Sequence, residues 1–191
     1  MPPRKRKPGP RSSSDAVSVI LPNALYLGPR SAASSTAFLT SEHITHVLSI
    51  GISPSRKVDD VVYHRLALAD STTSPLDVTL KLSIEIIGAA LESKKGAGKI
   101  LVHCSAGVSR SPTIVVGYLM KKRGMTLKEA LGRVIRSRPQ VSPNSGFLRQ
   151  LKELEVELRG DSSIDVDELP RREVDRLAYF ADASTGGSGS S

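Results

Sequence analysis

The stretch from His103 to Pro112 combines the side chains that phosphoryl transfer requires. Cys104 lies six residues before Arg110, and Gly107 lies between them. A thiolate is a good nucleophile toward phosphorus, and the planar fork of an arginine can bind two phosphate oxygens. Gly107 permits the tight turn that would bring the two side chains together. A Cys and an Arg at this spacing also occur by chance, so the surrounding elements must support the interpretation.

The residues on either side of this stretch predict an anion site. The apolar run 99–103 is too short for a helix and indicates a central strand, whereas 111–122 is helical with Pro112 in its first turn. A loop between a buried strand and a helix N-terminus directs backbone N–H groups and the positive end of the helix dipole to one point. The predicted phosphate-binding residues are Ser105, Ala106, Gly107, Val108, Ser109 and Arg110.

Cys104 is the predicted nucleophile. Thiols at helix N-termini near arginine have pKa values of roughly 3.5–7.5, so the thiolate is available near neutral pH. Attack on phosphorus would give a cysteinyl-phosphate that water then hydrolyses. Cys104 is the one cysteine of the chain, so no intramolecular disulfide can form. Peroxide should oxidise it reversibly to a sulfenic acid, with a sulfenamide or an external thiol as protection.

Two further side chains are candidates for catalysis. Asp70 directly follows the predicted strand 61–68 and could protonate the leaving oxygen and later deprotonate water. A turn-forming role would also explain Asp70, and Asp77 is a rival acid that the dipole of its helix explains equally well. The hydroxyl of Ser111 could donate to the sulfur as the thiophosphate bond breaks, or it could cap the following helix.

Strands alternate with helices between the two ends of the chain, which indicates an α/β domain over 15–159. Thr126 and Glu129 predict a capping box for a helix that ends near Arg138, and Asn144 is a plausible cap for the last helix. The other predicted strands cover 17–21, 24–27 and 44–50, and the other predicted helices cover 32–42 and 75–96.

The sequence predicts a tail at each end of the chain. Residues 1–14 are basic and lack apolar periodicity, which predicts disorder, and the run Arg4–Lys7 is either a nuclear-import signal or a solvated charged segment. Residues 160–191 are acidic and then rich in Gly and Ser. Within them, Leu169–Phe180 is expected to form a short helix docked on the domain.

Composition excludes several classes of function. The chain has no apolar run of the roughly 18 residues that a membrane span needs, so we expect a cytoplasmic or nuclear protein without a membrane anchor. The net charge of +8 favours anionic substrates, but only seven Phe and Tyr residues are available for stacking, and we expect no nucleic-acid partner. Four scattered histidines and one Cys give no metal-ligand spacing, so no metal or other cofactor is expected.

Three motifs together resemble the dual-specificity protein phosphatases, over about 17–158. They are His103-Cys104-Ser105-Ala106-Gly107-Val108-Ser109-Arg110-Ser111-Pro112-Thr113, Gly117-Tyr118-Leu119-Met120, and Arg138-Pro139-x-Val141-x-Pro143-Asn144-x-Gly146-Phe147. The resemblance implies a mixed sheet of about five strands flanked by helices, and metal-independent hydrolysis of phosphotyrosine and phosphoserine/threonine in phosphoprotein substrates. We expect no separate docking domain ahead of the catalytic one, so the chain resembles the small atypical members. The family places its acid at a strand exit, which favours Asp70, and it favours a catalytic role for Ser111.

The resemblance leaves three alternatives. Enzymes of this chemistry that act on phosphoinositides typically carry Lys or Arg inside the loop, whereas 105–109 is uncharged here, which favours monoesters on protein over phosphoinositides, RNA 5′-phosphates or phosphoglucans. An inactive phosphoprotein-binding module usually lacks the nucleophile, the arginine or the acid, and Cys104, Arg110 and Asp70 are all present. A rhodanese or an arsenate reductase is disfavoured because there is no second cysteine.

The remaining polar residues near these motifs receive structural interpretations. His103 is expected to orient the loop through buried hydrogen bonds, and Asn144 either braces the loop or caps its helix. Arg138 and Arg149 could extend a basic rim around the loop, but the preferred interpretation is that they are solvated on the surface. The other histidines, which are His43, His46 and His64, are interpreted as structural.

Overall fold

The structure is a computed structural model that describes residues 16–181. The predicted basic tail 1–14, including the run Arg4–Lys7, and the Gly/Ser-rich end from residue 182 lie outside these residues. Within them, no helix is long and apolar enough to cross a membrane.

Five strands and seven helices make up the described part of the chain. The strands are β1 (Ser18–Leu21), β2 (Leu25–Gly28), β3 (His46–Ile50), β4 (Val62–Leu66) and β5 (Ile100–His103). The helices are α1 (Arg30–Ala33), α2 (Thr36–Ser41), α3 (Asp77–Gly96), α4 (Arg110–Arg123), α5 (Leu127–Ser137), α6 (Ser145–Arg159) and α7 (Glu173–Tyr179).

The strands form one sheet in the order β1-β2-β5-β3-β4. Strands β2, β5, β3 and β4 run parallel to one another, and β1 pairs with β2 in the antiparallel direction. The prediction of a mixed, five-stranded α/β fold is therefore confirmed. The carboxyl ends of the four parallel strands meet at one edge of the sheet.

The core lies on both faces of this sheet. Alternate residues of a strand point to opposite faces, so Leu48 and Val102 belong to a large cluster with residues of α3–α6. Val47 and Leu101 belong to a smaller cluster on the other face, which includes Leu39 of α2. Strand β5 is buried along its whole length, and the loop that follows it is anchored in the centre of the molecule.

Local signals account for most helix boundaries. The capping box of Thr126 and Glu129 is present at the start of α5, and the Asn144 side chain caps α6 by accepting from the Phe147 N–H at 2.9 Å. The single helix predicted over 32–42 is instead split into α1 and α2. The Ser35 side chain accepts from the Phe38 N–H at 3.3 Å, and this cap starts a new helix where the first one ends.

The segment after α6 packs against the domain instead of leaving it. Ile164, Leu169 and Phe180 are buried and belong to the large core cluster. The helix expected within Leu169–Phe180 is present as α7, and the Tyr179 hydroxyl donates to Asp165 at 2.7 Å. The structure thus extends the packed part of the chain beyond the predicted boundary at 159.

Candidate active site

The candidate site lies where the parallel strands end. Cys104 follows β5 directly, Gly51 follows β3, and Arg30 lies just beyond β2. Asp70 lies four residues beyond the end of β4. Ligands of open α/β sheets bind at this edge of the sheet, and the strand order places the Cys104 loop at its middle.

The carbonyls of four consecutive loop residues, 105–108, accept hydrogen bonds from donors outside the loop. The Arg30 N–H donates to the Ser105 carbonyl at 3.0 Å, and the Ser142 N–H donates to that of Val108 at 2.8 Å. Between them, one buried guanidinium holds two carbonyls: Arg138 Nη2 and Nε donate to those of Ala106 and Gly107 at 2.9 and 2.8 Å. Because the carbonyls point outward, the peptide N–H groups of this stretch are left to face the inside of the loop.

Gly107 is required by the turn of the loop. Its φ is +69°, and a Cβ there would lie 2.6 Å from the Gly28 carbonyl oxygen. An L-residue would be strained in this conformation and would also push β2 away from the loop. The backbone conformation of Gly107 therefore agrees with the prediction that this glycine permits the tight turn.

Hydrogen bonds converge on the sulfur of Cys104, which is only 2% exposed. The Ser111 hydroxyl donates to Sγ at 3.2 Å. Burial raises the pKa of the thiol, but the Ser111 hydroxyl and the backbone N–H groups of Ser111, Gly107 and Val108 together outweigh it, so the pKa is lowered. Ser111 is the second residue of α4, whose cap position is occupied by Ser109. The alternative of Ser111 as a helix cap is therefore wrong.

Arg110 projects from the start of α4 toward the same space. Its Nε lies 3.5 Å from Oδ2 of Asp70, and this buried donor has no hydrogen-bond partner among residues 16–181. A Cβ on Gly51 would overlap both the Arg110 Nη1 atom and the Leu68 carbonyl oxygen. The missing side chain of Gly51 thus creates the space in which the guanidinium lies.

Asp70 is attached to the nucleophile loop and to α6. Its Oδ1 accepts from the Ser109 hydroxyl at 2.7 Å and from the Asn144 side-chain amide at 2.9 Å. The Asn144 side chain therefore caps α6, as one of the two interpretations predicted, and it binds Asp70 in addition. Its contact with the nucleophile loop is made by the backbone N–H, which donates to the Ser109 hydroxyl at 3.3 Å.

The segment after Asp70 is fastened to α6 as well. The side-chain amide of Gln150 donates to the Ser74 carbonyl at 3.0 Å and accepts from the Leu76 N–H at 2.8 Å. A Cβ on Gly146 would overlap the Thr72 carbonyl, so α6 and this segment are in close contact. The stretch 70–76, the acid loop, is consequently held at both ends.

His103 supports the loop from beneath, as expected. It is fully buried, its Nδ1 lies 3.0 Å from the Cys104 carbonyl and its Nε2 lies 2.8 Å from the Ser49 hydroxyl. Burial lowers the pKa of His103, which favours the neutral ring. Because a carbonyl only accepts, Nδ1 carries the proton and Nε2 accepts from Ser49.

The structure brings together the predicted residues Cys104, Arg110, Asp70 and Ser111. Asp77 starts α3 and makes no hydrogen bond or ion pair to the loop within residues 16–181. No group of three or more His, Cys, Asp and Glu residues that could hold a metal ion occurs in this part of the chain.

The prediction for Arg138 is wrong. The side chain is 1% exposed, and it lies behind the loop instead of on its solvated rim. Arg149 is exposed as expected. Sequence reasoning also missed Gly51, Ser142 and Gln150, whose contacts are to residues that are distant in the chain.

Comparisons with known proteins agree on one family. The model of the dual specificity phosphatase catalytic domain matches residues 25–157. Dual specificity protein phosphatase 1 of Arabidopsis thaliana is 42% identical over 147 residues, which are 76% of this chain and 72% of the relative.

Solved structures give the same result. The crystal structure of DUSP15 is 35% identical with a TM-score of 0.68, covering 74% of this chain and 88% of that one. The human tyrosine phosphatase-like serine/threonine/tyrosine-interacting protein is 31% identical with a TM-score of 0.66, covering 74% of this chain and 97% of that one.

Substitution of Ser111 by Ala should raise the pKa of Cys104. The hydroxyl bond stabilises the thiolate, so its loss shifts ionisation, and the acidic limb of any thiolate-dependent activity, to higher pH. The ultraviolet absorbance of the thiolate, measured against pH with Cys104→Ser as the blank, reports this shift directly. Ser105→Ala, whose side chain is exposed, should leave the titration near that of the wild type; an unshifted Ser111→Ala titration would contradict the assignment.

Gly51→Ala should displace the Arg110 guanidinium and lower kcat/KM for an aryl phosphate on the order of a hundredfold. Gly96→Ala is the matched control, because Gly96 has a similarly positive φ of +86° but nothing lies within 4 Å of the added Cβ. Both variants carry the backbone strain of about 1–2 kcal/mol, and only the first removes the space for Arg110. Equal kcat/KM values for the two variants, measured on folded protein, would refute this role.

Proposed function

Because the chain belongs to the dual specificity phosphatases, we propose that it hydrolyses phosphate monoesters of protein side chains through a cysteinyl-phosphate formed on Cys104. The family assignment makes it a protein phosphatase of the tyrosine/serine/threonine class. The observation that carries the mechanism is the meeting of the hydrogen-bonded Cys104 thiol, Arg110 and Asp70 at one edge of the sheet.

The first step transfers the phosphoryl group to sulfur. The Cys104 thiolate attacks phosphorus, the S–P bond forms, and the bond from phosphorus to the ester oxygen breaks. Asp70 gives its proton to the leaving oxygen. The inward-facing loop N–H groups supply donors for the phosphoryl oxygens, together with Nε of Arg110, which has no hydrogen-bond partner within residues 16–181.

The second step restores the enzyme. Water attacks the phosphocysteine, Asp70 accepts a proton from that water, and the S–P bond breaks to release inorganic phosphate and the thiolate. The Ser111 hydroxyl, already 3.2 Å from Sγ, stabilises the departing sulfur. Charge stabilisation comes from backbone N–H groups, Arg110 and the N-terminus of α4, so the proposed reaction proceeds without a metal ion.

The loop composition supports phosphotyrosine and phosphoserine/threonine esters as substrates. The side chains of residues 105–109 carry no charge, so the loop offers a single arginine, Arg110, for one phosphoryl group. A substrate with several phosphates would gain more from a loop with additional Lys or Arg side chains.

Cys104→Ser should abolish hydrolysis of para-nitrophenyl phosphate, because a serine hydroxyl is not ionised near neutral pH. Release of para-nitrophenol by wild type and variant, both shown to be folded by circular dichroism, provides the test. Unchanged hydrolysis in the variant would refute the nucleophile. If neither protein hydrolyses the ester yet both bind a phosphopeptide, the chain is a binding module.

Asp70→Asn should slow hydrolysis according to the leaving group. Phenyl phosphate needs a proton on its oxygen, so its kcat should fall by about 10²–10⁴. An aryl phosphate with a strongly acidic phenol should be affected far less, because that phenolate leaves unprotonated. Asp77→Asn should match the wild type on both substrates; the reverse pattern between the two variants would make Asp77 the acid.

A further inference from the structure

The segment of residues 161–181 lies beyond the family match, which ends at residue 157. It nevertheless contributes to the core, where Phe180 is 0% exposed. Glu155 of α6 fixes the beginning of this segment, because its carboxylate accepts from the Ser163 N–H at 2.8 Å and from the Leu127 N–H at 2.6 Å. The segment then returns to the side of the molecule where α5 ends.

Arg176 of α7 makes the most informative contacts of this segment. Its side chain is buried, and its guanidinium donates only to carbonyls. Nη1 binds those of Pro170 and Arg171 at 2.7 and 2.6 Å, while Nε and Nη2 both bind that of Pro139 at 3.2 and 3.0 Å. None of the ion pairs within residues 16–181 involves Arg176. A buried cation is tolerated only where such acceptors are fixed in place.

Pro139 belongs to the connection between α5 and α6, which supports the phosphate-binding loop. The preceding residue, Arg138, supports the carbonyls of Ala106 and Gly107, and Ser142 supports that of Val108. Arg176 therefore fixes the short connection from which both supports project. Arg176 binds the carbonyl of Pro139, and the side chain of the preceding residue, Arg138, binds the loop.

The end of the segment fixes α5 in the same way. The Phe180 carbonyl accepts from Arg136 Nη1 at 3.0 Å, and the Phe180 ring packs beside Gly132. Since α5 ends immediately before Arg138, these contacts restrict the position of the helix end that carries the loop support.

We propose that Arg176 is a positioning residue for the phosphate-binding loop and that it acts through Pro139 and Arg138. The proposal rests on the proposed function of the loop. Loss of Arg176 would free the connection, let the carbonyls of Ala106 and Gly107 rotate, and turn N–H groups away from the bound anion and from the sulfur.

The test compares Arg176→Ala with Arg172→Ala, a matched control at the N-cap position of the same helix. Arg172 is exposed and pairs with Asp175 of α7. Binding of inorganic phosphate is measured by calorimetry in the Cys104→Ser background, and the Cys104 titration is followed by thiolate absorbance in the chain with the thiol. Neither measurement depends on turnover, so both remain informative if the wild type proves inactive toward esters.

Arg176→Ala should weaken phosphate binding on the order of tenfold to a hundredfold and raise the pKa of Cys104, while Arg172→Ala leaves both unchanged. Arg176→Lys keeps the buried charge but reaches fewer carbonyls, so it should fall between these two and decide the matter if Arg176→Ala does not fold. Folded Arg176 variants with lower Tm but with phosphate affinity and thiol titration equal to those of Arg172→Ala would overturn the proposal.

Discussion

The loop after β5 can bind an anion only if its N–H groups point inward, and this forces its carbonyls outward into the protein. Buried carbonyls need donors. Three partners supply them for four consecutive residues: the N–H groups of Arg30 and Ser142 and the guanidinium of Arg138. These donors come from the exit of β2 and from the connection between α5 and α6, so both must be held in place beside the loop. The pKa of Cys104 depends on this arrangement too, because the same inward N–H groups stabilise the thiolate.

Parallel pairing explains how residues far apart in the chain reach this loop. Gly51, Asp70 and Cys104 follow three neighbouring parallel strands, so their side chains or backbone meet at a single edge of the sheet. The helix α6 then connects the acid loop to the nucleophile loop. Asn144, its N-cap residue, and Gln150, on its second turn, hold the two ends of the acid loop. Positioning of the acid is therefore a property of helix packing as much as of the strand that precedes it.

Cys104 and Arg110 could be assigned to one loop from the sequence because strand exits and helix starts have local signals. Asp70 and Ser111 were preferred over their alternatives only with the help of the family resemblance. The capping residues Thr126 and Asn144 were predictable from local signals as well. Arg138 was not, because a basic residue at a helix end normally indicates solvent. Its burial depends on carbonyls about thirty residues away, for which the chain carries no local signal. The same holds for Gly51, which has a φ of +78° and whose missing Cβ leaves room for the Arg110 guanidinium and the Leu68 carbonyl. The split between α1 and α2 depends on a single serine cap, which helical periodicity does not detect.

The hydrogen bond from Ser109 to Asp70 determines when the conformational entropy of the acid loop is lost. The acid is attached to the nucleophile's own loop at 2.7 Å before any ester arrives. The entropy of ordering the acid loop is thus lost during folding and not at each encounter with substrate. In the proposed reaction, Asp70 is therefore already ordered beside the nucleophile loop when the ester binds, and none of the binding free energy is needed to order it.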